Sequence, residues 1–319
     1  MPDLTIRPLQ AGETELFLSY DFPRVPELWE TARNYRELLS THEYRPEHSW
    51  VAIRDGIVVA RACWWAGHKD EKPAALDWLE AKPGPEQIDL GTRLLLAAHE
   101  TMRNDEGARP DYHLFLPPGW RQRADFSAAA EARLQAAQNA GLTPFVERLS
   151  FRWSAAVDGL PPRSGRLKFR PADDTQILAA LRLLLEGTLD AHSIRDVQNH
   201  GLDRAAQMGL EGLQWFPSPR DWWQLAYDGM DELVGAIMPA RNYKMPTIGY
   251  IGVVPTQRGH GYVDDLLTEM MWQLSALAPG EEVGADTDFG NVPMARAFAR
   301  AGFRTSSERI ILTDPLAAT

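Results

Sequence analysis

The sequence predicts an α/β chain of two tandem domains, each a mixed sheet of α+β character with helices packed on it. Three observations predict this. In the C-terminal half, apolar runs of strand length alternate with stretches of helical period. Between Thr247 and Val263 a strand ends in a glycine turn that feeds directly into a helix. The N-terminal half then repeats the same order of elements at a spacing of roughly 160 residues, far longer than a solenoid repeat.

The elements of the C-terminal half follow in order. Leu167-Lys-Phe-Arg170 predicts a short strand, Asp174 to Glu186 a Leu-rich amphipathic helix, and Leu202 to Leu213 a second helix. Trp222 to Tyr227 and Leu233 to Met238 flank Asp228-Gly-Met-Asp-Glu232, which has the composition of a hairpin turn. The apolar run from Thr247 to Val254 predicts the next strand, and Leu266, Leu267, Met270, Met271 and Leu274 recur at helical spacing after it. Asp286 and Asp288 close a further strand and share one of its faces. Asn291 to Gly302 predicts a short helix, with Pro293 in its first turn and Gly302 as its stop. Arg309 to Leu312 predicts a final strand.

The first half parallels this plan. Thr5-Ile-Arg-Pro8 matches Lys168-Phe-Arg-Pro171, and Trp50 to Ala60 matches the hairpin from Trp222 to Ala236. Leu76 to Ala81 before Pro83 matches the strand before Pro255, Leu90 to Met102 the helix from Leu266, and Leu134 to Leu142 the segment from Ala297 to Phe303. Ala155 to Gly165 has linker composition. The expected domains are therefore 1–156 and 166–319, joined by 157–165.

Bulk properties exclude several classes. With 319 residues and 44% hydrophobic composition, the chain can build two cores. A net charge of −11 argues against nucleic acid as a partner and favours cationic ones. No apolar run is long enough for a transmembrane helix and the N-terminus lacks a signal-peptide pattern, so no membrane partner and a cytoplasmic location are expected. The lone Cys63, beside Trp64 and Trp65, predicts a packed strand thiol in a reducing compartment. Pro46 breaks any helical pairing of His42 and Glu43 with Glu47 and His48, so no metal is expected. In each of the pairs Trp64–Trp65 and Trp222–Trp223, alternation turns one ring to the core and the other outward.

The chemistry concentrates after Val254. In Val253-Val-Pro-Thr-Gln-Arg258-Gly259-His260-Gly261-Tyr262-Val263, the turn's N–H groups converge with the unpaired first N–H groups of the helix, where the dipole adds positive character. Gly259 and Gly261 admit a left-handed backbone and close approach of a ligand, and Arg258 offers a cation beside an anion. The arrangement predicts a pyrophosphate cradle.

With Asn291-Val-Pro-Met-Ala-Arg-Ala-Phe298-Ala-Arg-Ala-Gly302-Phe303 downstream, the chain resembles the GCN5-related N-acetyltransferase (GNAT) superfamily. Residues 258–263 resemble its acyl-CoA loop R/Q-x-x-G-x-G/A, and 291–303 its N-x-x-A-x-x-x-Y-x-x-x-G-F segment. Two positions depart: Val263 replaces a Gly or Ala, and Phe298 a Tyr. The resemblance implies two tandem GNAT-like domains and transfer of acetyl from acetyl-CoA to the primary amine of a small molecule. It implies pantetheine running along the strand that ends at Val254, with an N–H of Ile251, Gly252 or Val253 polarising the thioester. It places Asn291, and Phe298 in the position of the family's tyrosine, at the cofactor. Asn291 also suits a helix N-cap. Segment Pro83 to Asp89 lacks the Arg and the paired glycines and carries Glu86 and Asp89, so the first copy is expected to bind no cofactor.

The two proton transfers need owners. Deprotonating an amine of pKa ~10.4 at neutral pH costs roughly 4–5 kcal/mol, whereas a thiol of pKa ~8.5 leaves for roughly 2 kcal/mol. The chain has no Asp or Glu between Glu232 and Asp264. Base candidates are Asp286 and Asp288, a water relay, and Asp190 or His192 in the loop expected between the first two helices, which would also meet the substrate. Tyr250 or Tyr262 can serve as acid in place of Phe298, and Tyr262 can instead cover the cofactor. Three alternatives stay open: a non-catalytic acyl-CoA-binding or regulatory module, a protein N-acetyltransferase or user of longer acyl donors, and an enzyme like the mycothiol synthases, whose tandem layout this resembles. A monomer holding an internal pseudo-dimer, or a homodimer, is expected.

Overall fold

The computed structural model describes residues 3–25, 28, 33–67, 72–103, 107–242 and 244–318. They form two compact units, residues 1–147 with 307–319 and residues 148–306.

The first unit runs β1 (Leu4–Pro8), α1 (Thr14–Leu18), α2 (Tyr35–Ser40), β2 (Ser49–Arg54), β3 (Ile57–Trp65), β4 (Ala75–Ala81), α3 (Gln87–His99), β5 (Asp111–Leu116) and α4 (Ala124–Asn139). Strand β6 (Thr143–Trp153) leaves it for the second unit. There follow α5 (Ala155–Asp158), β7 (Lys168–Pro171), α6 (Asp174–Leu185), α7 (Ala191–Gln214), β8 (Gln224–Tyr227), β9 (Leu233–Arg241), β10 (Pro246–Val253), α8 (Tyr262–Leu277), β11 (Val283–Asp288), α9 (Val292–Arg300) and β12 (Arg304–Thr313).

Each unit holds six strands in the same order. The first reads β1-β2-β3-β4-β5-β12, antiparallel except for β4 with β5. The second reads β7-β8-β9-β10-β11-β6, antiparallel except for β10 with β11. The sixth strands are exchanged along the chain. Glu308 to Leu312, expected in the second domain, pair with Leu116 to Tyr112 of the first unit. Ile310 and Leu312 are buried in the first core, while Phe151 and Trp153 are buried in the second. The compact units therefore depart from the linear boundaries at 156 and 166. Residues 160–166 form no free tether either, since the Trp272 indole donates to Pro161 O at 2.9 Å and Arg163 pairs with Glu269 at 2.7 Å.

Most elements fall where periodicity puts them. Leu266, Leu267, Met270, Met271 and Leu274 are all 0% exposed, which stabilises α8 on the sheet by about 1.5–3 kcal/mol per side chain. Asp173 and Gln176 form a reciprocal capping box that starts α6. Helix α7 begins eleven residues before the expected Leu202, because its first segment is polar and Gly201 at φ +77° interrupts the period. Trp64 and Trp223 are buried and Trp65 and Trp222 half-buried, but only the first pair lies in a strand, since Trp222 ends a 3₁₀ turn and Trp223 precedes β8. Cys63 is free and fully buried. Among the described residues no helix is long and apolar enough to cross a membrane, and no cluster of metal-ligating side chains occurs.

Candidate active site

Strand β10 builds the site by parting from its neighbour. It pairs with β11 at Thr247↔Gly284, then bulges at Gly249 and continues beside β9. Close approach sets the glycines here: a Cβ on Gly249 would meet Met238 O at 2.8 Å, and one on Gly235 would meet Gly252 O at 2.1 Å. The edge of β10 turned away from β9 is thereby exposed.

Which groups lie on that edge follows from alternation. The Val254 N–H donates to Val234 O at 2.9 Å, so Gly252 and Val254 turn toward β9. Ile251 and Val253 turn the other way. Accordingly, Val253 O accepts from Arg258 Nε at 3.1 Å, on the open side. The N–H groups of Ile251 and Val253 thus face a cavity of about 480 Å³. Its other walls are Leu184, Gly187 to Leu189, Gln257 to Gly259, Gly261 to Val263, and Asn291, Pro293 and Met294.

The turn closes one end of this slot. Gly259 at φ +84° and Gly261 at φ +74° are left-handed, and a Cβ would strain both. Gly261 is the N-cap of α8 and supplies no side-chain cap, which leaves the first N–H groups of the helix for a ligand. The two carboxylates of that first turn are neutralised, Asp265 by Arg166 and Asp264 by Arg300 at 2.7 Å. Arg166 also donates to His260 O at 3.2 Å and lies over the Tyr262 ring. Its place at the end of a linker-like stretch gave no sign of this.

Several expected residues prove to have other tasks. The Arg258 guanidinium donates to Val253 O, to Gly187 O at 3.0 Å and to Leu184 O at 3.3 Å. It ties the C-terminal end of α6, where a cation suits the dipole, to the end of β10. Arg258 is a strut on the slot wall, with three of its five N–H donors spent on these carbonyls. Phe298 is absent from the slot: its ring is 1% exposed, packed against Phe151 and Phe303, because α9 turns that face to the core. Val254 is likewise buried, and His260 is exposed beside Tyr262 outside the slot lining. Asn291 is the N-cap of α9, its side chain accepting from the Met294 N–H at 3.4 Å, and it also lines the slot.

The acidic candidates are mostly engaged. Asp288 is 3% exposed, pairs with Arg148 at 2.9 Å and accepts from the Ala191 N–H at 2.6 Å, so it anchors the start of α7. Asp286 is exposed and accepts from the Ser150 hydroxyl at 2.5 Å. Asp190 and His192 are in no loop: Asp190 is the N-cap of α7 and His192 sits in its first turn. Asp190 pairs with Arg148 at 3.2 Å, and His192 Nδ1 lies 3.4 Å from the same guanidinium. Burial opposes ionisation of Asp190, but the Ser193 N–H and Arg148 outweigh it and hold its carboxyl below the usual range. Tyr250 lines the slot, and burial, with Asp190 adding to it, pushes its phenol up to about 12, so it is protonated at neutral pH. Among the described residues no carboxylate lines the slot.

The corresponding place in the first unit differs. Ala75 of β4 pairs with Asp111 of β5 as Thr247 does with Gly284, and the step from Ala81 to Pro83 matches Val253 to Pro255. On that alignment Glu80 stands where Gly252 stands and Trp78 where Tyr250 stands. The Glu80 carboxylate is 2% exposed and accepts from Arg61 at 2.7 Å and the Trp78 indole at 2.9 Å. The remaining cavity, about 200 Å³, is lined by Glu80 and Asp125 among others. Glu86 occupies the N-cap position of α3 and pairs with Arg54 at 2.6 Å.

No family model and no curated protein matches the chain. Solved structures do. A GCN5-related N-acetyltransferase from Sphaerobacter thermophilus aligns over 99% of this chain and 97% of its own, at 16% identity and a TM-score of 0.57. A tandem GNAT protein from the clavulanic acid biosynthesis pathway aligns over 98% of both chains, at 16% identity and a TM-score of 0.52. The glucosamine N-acetyltransferase region of a fungal multi-domain GH3 β-N-acetylglucosaminidase covers 98% of this chain and 38% of that one, at 11% identity and a TM-score of 0.58. With six strands in one order in each unit and full-length alignment to a tandem protein, the chain has the GCN5-related N-acetyltransferase fold, in tandem.

Proposed function

We propose that the second unit is an acyltransferase that moves acetyl from acetyl-CoA to the primary amine of a small molecule, in a ternary complex. One observation carries the reading. The outward N–H groups of Ile251 and Val253 run along an open slot into the left-handed Gly259 and Gly261 at the uncapped start of α8. A slot ending in converging N–H groups fits a long thioester whose other end is a pyrophosphate.

Acetyl-CoA, when bound, supplies an activated acyl carbon and a thiolate leaving group. Gly259, Gly261 and the first turn of α8 hold the diphosphate through the main chain. Ile251 and Val253 orient the pantetheine arm, and one of their N–H groups polarises the thioester carbonyl, where negative charge develops. Arg258 keeps both walls in register. Tyr250, kept protonated at neutral pH by its raised pKa, donates a hydrogen bond to the departing sulfur, which leaves as a thiolate. The amine loses its proton to solvent on entering the slot, since desolvation lowers an ammonium pKa and no carboxylate lines the slot. Asp286, exposed near the end of β11, serves at most through water. The first unit binds no acyl-CoA, because Glu86 and Asp89 at the start of α3 put negative charge where a diphosphate would lie and Glu80 fills the place of Gly252 on the strand.

A second reading is a non-catalytic acyl-CoA-binding module, favoured by the absence of a carboxylate in the slot. Thermal shift with CoA and acetyl-CoA, followed by thiol release on an amine panel, separates the two. Stabilisation with turnover supports the enzyme. Stabilisation without turnover on any amine leaves the binding module, and no stabilisation overturns both.

A further inference from the structure

We infer that a second cavity beside Tyr250 holds the body of the acceptor, and that Asp196 there binds a second cationic group. The preferred acceptor is then a small diamine with an apolar spacer. This rests on the acyl-transfer reading above.

The cavity, about 200 Å³, lies between Leu181 and Leu185 of α6, one face of α7, and Gly249 and Tyr250 of β10. Tyr250 is a wall of both this cavity and the acyl-donor slot, so the two lie against one ring. The α7 face is made of small residues, Ala205, Ala206, Gly209 and Gly212. Glycine in a helix interior weakens the helix, and neither Gly209 nor Gly212 is demanded by packing: a Cβ on either would meet nothing within 4 Å. What these glycines provide is room.

Asp196 is the one charged side chain in the lining. It is half-buried, and its carboxylate has no hydrogen bond or ion pair among the described residues. Arg195 and His200 are near enough to be felt, yet neither pairs with it. Ser193, also in the lining, spends its hydroxyl on Asp190 at 2.9 Å. A carboxylate held against apolar walls without a partner has lost hydration that a bound ammonium would replace.

The apolar walls suit a polymethylene spacer, and the net charge of −11 draws dications in general. In the transfer, the C–N bond forms as the C–S bond breaks. The sulfur takes the electron pair and leaves as a thiolate with the Tyr250 O–H hydrogen-bonded to it, and the amine proton passes to solvent.

The test uses the full chain with acetyl-CoA, comparing 1,4-diaminobutane and 1,5-diaminopentane with butylamine and pentylamine by thiol release. The diamines should exceed their matched monoamines in kcat/KM by about tenfold or more, through KM. Asp196→Asn should bring that ratio near unity. Gly209→Leu, which fills the cavity, should raise KM for both classes while the thermal shift with CoA persists, showing that the variant folds. No diamine preference, or a preference that survives Asp196→Asn, overturns the inference. If no amine is acetylated although CoA stabilises the chain, the acyl-transfer reading has failed by itself. Calorimetric titration of the CoA-bound protein with 1,4-diaminobutane then judges the cavity: heat lost in Asp196→Asn supports the site, and absent or unaffected heat refutes it.

Discussion

The two units share a strand order and differ at one residue pair that decides what each can hold. Beside Tyr250, Gly252 has no side chain, and a Cβ there would already meet Leu184 at 3.0 Å. Beside Trp78, Glu80 fills the matching position and ties itself to Arg61 in the interior. One unit keeps a channel along its fourth strand, while the other has turned that channel into a buried ion pair. A shared fold therefore gives no warrant for a shared ligand.

The largest expected effect lies in the unit that has closed. Glu80→Gln leaves the Arg61 guanidinium buried without its countercharge, and stability should fall by about 3–5 kcal/mol in denaturant unfolding. It should create no CoA site. A loss under 1 kcal/mol would mean that the pair is not what holds this unit shut.

Acid comes next. His99, buried in the first unit against Trp64 with Arg109 and Arg103 nearby, has its pKa lowered from the ordinary 6.5 to about 4, chiefly by desolvation. The unfolded chain takes up a proton first as pH falls, so the stability His99 contributes is complete above pH 6.5 and is lost toward pH 4. The loss amounts to about 3 kcal/mol. His99→Phe should flatten the pH dependence of the melting temperature across that window; an unchanged slope would assign the acid sensitivity elsewhere.

A smaller effect separates the two turns. Gly261→Val forces a β-branched residue to positive φ at the head of α8, and CoA affinity should weaken about 30- to 100-fold by calorimetry. Gly84→Val, in the other turn at φ +128°, should leave CoA affinity where it was. Equal losses would show that the diphosphate is not held where the second unit's turn would hold it.

The mildest is Phe298→Tyr. The added hydroxyl enters the packing of Phe151 and Phe303 without a partner, costing roughly 1–3 kcal/mol of stability. The ring is away from the slot, so kcat should change less than tenfold. A hundredfold gain would mean that the acid belongs at this position after all.

What the sequence made legible was what depends on residue identity at fixed local spacing. Gly259 and Gly261 before an apolar helical repeat announce a main-chain cradle, because few other residues tolerate that backbone. Asn291 could be read as a cap for the same reason. Long-range pairing was not legible. Nothing local in Arg309 to Leu312 says which sheet edge it joins, and an alternating strand satisfies either. Arg258 was read by its charge, while its fate was set by three carbonyls, two of them far away in sequence. Phe298 was placed by family position, while the rotation of α9 puts the ring inside. Asp196 carried no signal at all, since a lone carboxylate in a polar helical stretch acquires meaning only from the empty space beside it.

The exchanged strands bear on how the chain is made and cut. Residues 307–313 emerge from the ribosome after the whole of 148–306, so the first unit's sheet lacks an edge until the second unit's residues have been made. Until residues 307–313 appear, β5 is an open template for any passing strand, including that of another nascent copy. For the same reason, severing the polypeptide at 157–165 yields no two intact halves, only two fragments each carrying a strand the other needs.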